Sequence, residues 1–150
     1  RPRFRTGEAD LAETPPCGGI GINSRPRDNL ERADGSKRPI WRSIAGHGLT
    51  HVTSHLGLVY RSRGELTEAT ALEEKTAKLL RRLDHGPEWR GNIQYNLACY
   101  YALVGRKQSA IALLKEALQL DPKLTEWSKK DPDFDDIRDD PGFMKVYENK

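Results

Sequence analysis

Three histidines recur at intervals of four: His47, His51 and His55. On one helix that spacing would stack three imidazoles on one face, a ligand set for a transition metal. Gly48 breaks the start of such a helix, and no carboxylate or cysteine stands at ligand spacing nearby, so the three read as surface or packing residues. Asp131, Asp133 and Asp135 have the 1-3-5 spacing of a calcium loop. Its sixth place calls for Gly and holds Asp136, and its twelfth calls for a bidentate Glu and holds Gly142. These carboxylates read as helix N-caps and solvated surface. Cys17-Gly-Gly-Ile-Gly has the glycine density of a phosphate cradle, but no Lys-Ser/Thr follows and no strand precedes it, so it reads as a linker. Cys99 would need a cationic neighbour to react and reads as a small packing residue. Nothing brings a Ser, His and Asp together. No catalytic residue, metal ligand or cofactor site is assigned. A metal- or thiol-dependent hydrolase resting on His47, His51, His55 or Cys99 is the weaker alternative.

The elements that would carry these residues follow from one pattern written twice. Tyr60, Gly64 and Ala69 follow Leu56; Tyr101, Gly105 and Ala110 follow Leu97. The intervals are the same in both copies, and equivalent positions lie 41 residues apart. A self-similar period of that size predicts stacked helical hairpins. His51 to Ser62 forms a first helix with Val52, Leu56, Val59 and Tyr60 on its apolar face, closed by Gly64. A second runs from about Glu65 to Leu83, with Ala69, Leu72, Thr76, Leu79 and Leu83 spaced by threes and fours. Asp84-His-Gly-Pro turns the chain. Ile93, Leu97, Tyr100, Tyr101 and Val104 line a third helix, closed by Gly105, and Ala110, Leu113, Leu114, Ala117 and Leu118 line a fourth, which stops near Leu120.

The ends differ in style. Residues 1–45 are rich in Arg, Pro, Gly, Asp and Glu and carry no sustained apolar period, which predicts a disordered or irregular tail. Ordered structure can begin at Trp41, with Gly46 and Gly48 interrupting a helix there. Residues 46–120 hold the two hairpins. In residues 121–150 Asp-Pro occurs three times, at Asp121-Pro122, Asp131-Pro132 and Asp140-Pro141, each pair suited to start a short helix. Leu124 and Trp127, then Phe134 and Ile137, then Phe143, Val146 and Tyr147 are the apolar residues of these helices, which would cap the second hairpin.

Composition limits function. Apolar residues make up 36% of the 150 and charged residues 31%, which suits a fold with much exposed surface or a part-unfolded chain. Net charge is +3, carried as 9 basic and 6 acidic side chains in residues 1–48, 10 and 7 in 49–120, and 6 and 9 in 121–150. That density argues against a nucleic-acid binder, although the Arg-rich tail keeps the reading alive. No apolar run reaches membrane-spanning length, and the N-terminus lacks the layout of a signal peptide. Cys17 and Cys99 read as free thiols in a reducing compartment, the cytoplasm. The chain lacks an initiator Met and its single Met is Met144, which suggests a piece of something longer.

At these residues the chain resembles the tetratricopeptide repeat family, a superhelix of paired antiparallel helices. Repeats would start near Thr50 and Gly91. Gly57 and Ala98 stand where paired helices approach closely, Tyr60 and Tyr101 fill the space between them, and Ala69 and Ala110 let the second helix cross the first. Ala117 and Pro122 match as well. Thr76 and Arg81 depart from the usual Ala and Pro, and the period exceeds the family's 34 by about two helical turns. The tail, with Arg138-Asp139-Asp140-Pro141-Gly142-Phe143, resembles the segment that ends many bacterial arrays. The resemblance implies an all-α fold: a two-repeat α-solenoid with short capping helices behind a disordered tail. It also implies a non-catalytic module that binds a protein or peptide partner along its groove. The groove residues it implies are His51, Ser54, Leu58, Arg61, Ser62, Asn92, Tyr95, Asn96, Cys99 and Leu103. Ser54 and Leu58 replace the Lys and Asn of repeats that clamp a peptide carboxylate, which argues against that activity. Two repeats fall below the number usually needed to stand alone, so self-association or attachment to further repeats is expected. An alternative context is the sensor or scaffold end of a larger signalling protein.

Overall fold

The computed structural model describes residues 29–31 and 37–148. Among the described residues, β1 (Asn29–Glu31) pairs antiparallel with β2 (Lys37–Pro39), Leu30 opposite Arg38. These strands fall in the stretch whose composition predicts irregular structure, and the Cys17 loop lies outside the described residues. The helices are α1 (Ile40–Ala45), α2 (His51–Ser62), α3 (Leu66–Leu80), α4 (Pro87–Leu103), α5 (Lys107–Leu120), α6 (Thr125–Ser128) and α7 (Pro141–Glu148). Gly46–Thr50 winds as one π-helical turn, so the two glycines expected to break a helix widen it instead. No helix among the described residues is long and apolar enough to cross a membrane.

The doubled sequence pattern is a doubled hydrogen-bond pattern. After α2, Gly64 takes φ 78°. Its N–H donates to the Arg61 carbonyl at 3.0 Å, and the Glu65 N–H donates to the Tyr60 carbonyl at 2.9 Å. After α4, Gly105 takes φ 76°; its N–H donates to Ala102 at 3.0 Å and that of Arg106 to Tyr101 at 2.8 Å. The four-residue interval from Tyr to Gly is therefore the step from the carbonyl that closes the helix to the residue that reverses the chain. Ala69 and Ala110 then sit with no exposed surface where each second helix crosses the first.

Two clusters of buried side chains share α4. Ile93, Leu97 and Tyr100 pack on Ala69, Ala77 and Leu80 of α3. Tyr95, Ala98, Cys99 and Ala102 pack with Ala110, Leu114, Ala117 and Leu118 of α5 and with Phe134, Ile137, Phe143 and Val146 of the C-terminal segment. This is why α4 is apolar around most of its circumference. It begins earlier than its apolar pattern suggests. Pro87 holds the first helical position, the Asp84 carboxylate accepts the Gly86 N–H at 2.8 Å, and the Trp89 indole N–H donates to the Leu80 carbonyl at 2.8 Å. The two departures from the family pattern also find partners: Thr76 donates to the Thr53 hydroxyl at 3.3 Å, and Arg81 bonds the Gln94 side-chain oxygen.

All three Asp-Pro pairs start helices. Asp121 accepts from the Lys123 N–H at 3.2 Å, Asp131 from Asp133 at 3.1 Å and Asp140 from Gly142 at 2.7 Å. The first two open 3-10 helices, Pro122–Leu124 and Pro132–Ile137, and the third opens α7. Trp127, expected among the apolar residues of the cap, is 61% exposed, with its indole N–H donating to the buried Asp131 at 3.1 Å.

Two predictions concern stability. Gly105→Ala forces a side chain into left-handed backbone and lowers stability by about 1–2 kcal/mol. Gly48→Ala, with open space around the new methyl, leaves the urea midpoint unchanged or raises it. Glu73 occupies the place that Leu114 fills in the second copy, and burial holds its carboxyl above the usual range. The fold therefore favours the protonated form, and the stability this gives is lost as pH rises through the folded pKa. Glu73→Gln should raise the Tm at neutral pH, and the gain should vanish at pH values below the ordinary carboxylate range.

Candidate partner-binding groove

His51, Ser54, Leu58, Arg61 and Ser62 recur at helical spacing and share one side of α2. All are exposed except Arg61, which is half-buried. The His51 and His55 Nε2 atoms lie 3.1 Å apart with the rings edge to face, so one imidazole donates to the other. The third histidine, His47, belongs to the π-helical turn. Ser54 and Ser62 donate to the Thr50 and Val59 carbonyls at 3.0 and 2.8 Å, which leaves each hydroxyl oxygen as an acceptor facing out. On α4 the corresponding residues Asn92, Asn96 and Leu103 are exposed, and Asn92 donates to the Glu88 carbonyl at 2.8 Å.

Tyr95 and Cys99 are placed differently. The resemblance puts both on the face that a partner would line, yet both are buried beneath the chain's own C-terminal segment. The Phe134 ring meets the Tyr95 ring edge to face with centroids 5.7 Å apart. The Tyr95 hydroxyl donates to Asp131 Oδ2 at 2.6 Å. The same oxygen accepts the Trp127 indole N–H at 3.1 Å and the Cys99 thiol at 3.8 Å. Asp131 is thus a helix cap and, through its other oxygen, the acceptor for three side chains from two elements. Burial, then the hydrogen bond to Asp131, pushes the Tyr95 hydroxyl far up. Burial, then the charge of Asp131, does the same to the Cys99 thiol. Asp133 is raised by burial and by its neighbour Asp131, and the hydrogen bond from Cys99 and then the charge of Arg61 partly offset this.

Cys99, Asp131 and Asp133 bring three potential ligand atoms within 4.8 Å of one another. The donor set suits a hydrogen-bonded core better than a cation. Both Asp131 oxygens already accept hydrogen bonds, one from the Asp133 amide and the other from three side chains. Of the calcium-loop carboxylates, Asp131 caps a helix and Asp135 pairs with Arg138.

Arg138 is a structural residue that the sequence reading misses. Its guanidinium donates to the Lys129 carbonyl, to the Asp131 carbonyl at 2.9 Å and to Asp135 Oδ1 at 3.2 Å. It clasps the turn that presents Asp131. Its place at the head of the Arg-Asp-Asp-Pro run is the signal that could have marked it. A separate cleft of about 380 Å³ lies among Leu66, Thr70, Ala71, Val104 and Arg106. Beside it Glu74 accepts the Tyr101 hydroxyl at 2.7 Å and pairs with Arg106 at 3.5 Å.

Removing the shared acceptor should release the C-terminal segment. Asp131→Ala strands the buried Tyr95 hydroxyl and should cost about 2–4 kcal/mol, measured by urea unfolding. The same variant should make the Cys99 thiol react with an aromatic disulfide under conditions where the parent thiol is protected.

Residues 49–123, half of the chain, match the profile described as "Tetratricopeptide repeat". The match spans both hairpins and their shared core. No curated protein and no solved structure matches the chain. Members of the family serve in general as protein–protein interaction modules. On the evidence of the two matched hairpins, with their repeated closures at Gly64 and Gly105, the chain belongs to the tetratricopeptide repeat family.

Proposed function

We propose that the chain is a non-catalytic module that binds an extended or helical peptide segment of a protein partner along a groove bounded by α2, the open edge of α4 and the C-terminal segment. The contact residues are His51, Ser54, Leu58, Arg61, Ser62, Asn92, Asn96 and Leu103. Tyr95 and Cys99 support the groove from below rather than meeting the partner. The observation that carries this reading is the division of the expected groove. Eight of its ten residues stay at least partly accessible while the other two are sealed by Phe134 and Asp131. The accessible set mixes one exposed aliphatic anchor on each helix, Leu58 and Leu103, with amide, hydroxyl and imidazole groups. That mixture suits recognition of a peptide backbone with an apolar side chain seated beside it. Rigid helices lower the ordering cost of such binding. With Cys99 a free thiol, we place this activity in the reducing cytoplasm.

Selection from a random-peptide display library, followed by amide shift mapping, tests the reading. Selected peptides should move resonances of residues 51–62 and of Asn92, Asn96 and Leu103. Arg61→Glu should weaken them by about tenfold or more, the scale of a lost charged contact. Shifts confined to the Leu66–Arg106 cleft, or no effect of Arg61→Glu, would contradict it.

A further inference from the structure

Of the three histidines spaced by four, the structure brings two together. The interruption at Gly48 falls in the π-helical turn Gly46–Thr50, which holds His47. His51 and His55 both belong to α2, one turn apart on the same side. Their ring centroids lie 4.4 Å apart and their Nε2 atoms 3.1 Å, so the rings lean together by their Nε2 corners. Two imidazole nitrogens at that distance share a proton between them, and the place of a shared proton between two neutral imidazoles is also the place of a metal ion. The second copy of the repeat differs here. Asn92 and Asn96, 41 residues on, form an exposed pair at the same spacing on α4, and Asn92 donates back to the Glu88 carbonyl at 2.8 Å.

We propose that His51 Nε2 and His55 Nε2 chelate one divalent transition-metal ion of the class that prefers imidazole: zinc, nickel or copper. The geometry is close to what such an ion needs. With metal–nitrogen bonds of about 2.0–2.1 Å, nitrogens 3.1 Å apart subtend about 95–102° at the ion. That angle lies between the right angle of a square-planar site and the tetrahedral angle of about 109°, so small ring rotations serve either geometry. The helix fixes both backbone positions in advance, and chelation orders two side chains only. Calcium and magnesium are excluded as ligands of this pair, because they take oxygen donors. Access is open: both histidines are exposed, and the neighbouring Val52, Leu56 and Val59 are half-exposed where their equivalents Ile93, Leu97 and Tyr100 are buried. Among the described residues no third His, Cys, Asp or Glu ligand atom lies within 4.8 Å of both nitrogens. Two protein ligands are one short of a catalytic zinc site. The ion is therefore held exchangeably, with water in its other positions, and no reaction is assigned to it. His51 also belongs to the proposed groove, but the site does not rest on peptide binding and is tested with the metal alone.

Titration of the full 150-residue chain with ZnCl2, read by calorimetry and by the imidazole ring resonances, tests this. A Cys17→Ser background removes a competing thiol. The ring signals of His51 and His55 should move together and saturate at one ion per chain, while those of His47 and His85 stay in place. His51→Gln and His55→Gln, both at exposed positions, should keep the helical circular dichroism. Each should weaken binding at least about tenfold, because the second ligand no longer binds within the same chelate. His47→Gln should leave the affinity unchanged, and CaCl2 should move none of the ring signals. The absence of saturable zinc binding overturns the proposal, as does binding that survives both single variants undiminished. Zinc-induced shifts centred on Cys99 and Asp131 in place of the two histidines would assign the ion to the buried cluster and overturn it equally.

Discussion

A single buried carboxylate fixes the end of this repeat. Asp131 accepts from the Tyr95 hydroxyl, the Trp127 indole and the Cys99 thiol through one oxygen, and from the Asp133 amide through the other. A charge placed in such surroundings is tolerated only when its lone pairs are filled, and here the donors come from α4 and from the C-terminal segment together. The segment can therefore dock in one register. Phe134 next to it has no exposed surface, and burying such a ring contributes about 1.5–3 kcal/mol. Arg138 holds the turn from behind. Polar specificity and apolar stabilisation act on the same few residues.

The docked segment decides what the rest of the surface can do. Along α4 it buries Tyr95 and Cys99, two positions of the proposed groove. Beyond α5 it supplies the apolar cover that a further hairpin would otherwise give. At the opposite side the first hairpin has no such cover among the described residues. The same sequence positions are thus core in one copy and surface in the other. Glu73 shows the difference at one residue: its equivalent is the fully buried Leu114, and a carboxylate is tolerable in the first copy because solvent still reaches it.

Local periodicity carried most of the fold into view. The closures at Gly64 and Gly105, the small residues Ala69 and Ala110 and the three Asp-Pro starts depend on neighbours within one or two turns, so sequence spacing reveals them. What stayed hidden depends on residues far apart in the chain. Asp131 and Tyr95 are separated by 36 residues, and no spacing rule predicts that one seals the other. The run of alternating Asp has the spacing of a cation loop but reads as helix caps and surface, and Asp131 and Asp135 serve as cap and ion pair. Trp127 looked like core because tryptophan is large and apolar, yet it is 61% exposed and only its indole N–H reaches the buried Asp131. The early start of α4 at Pro87 and the strands Asn29–Glu31 and Lys37–Pro39 lie where apolar periodicity is weak. Which of the proposed groove positions the C-terminal segment covers required knowing where that segment lands.

The seat of Phe134 against Tyr95 is the contact on which this account turns. Nuclear Overhauser spectroscopy on the intact chain reads it directly. Cross-peaks between the two rings are expected from centroids 5.7 Å apart, with the Phe134 resonances displaced by the neighbouring Tyr95 and Phe143 rings. Random-coil Phe134 shifts without cross-peaks to Tyr95 would mean that the groove is open along its whole length, and the account would fail at its centre.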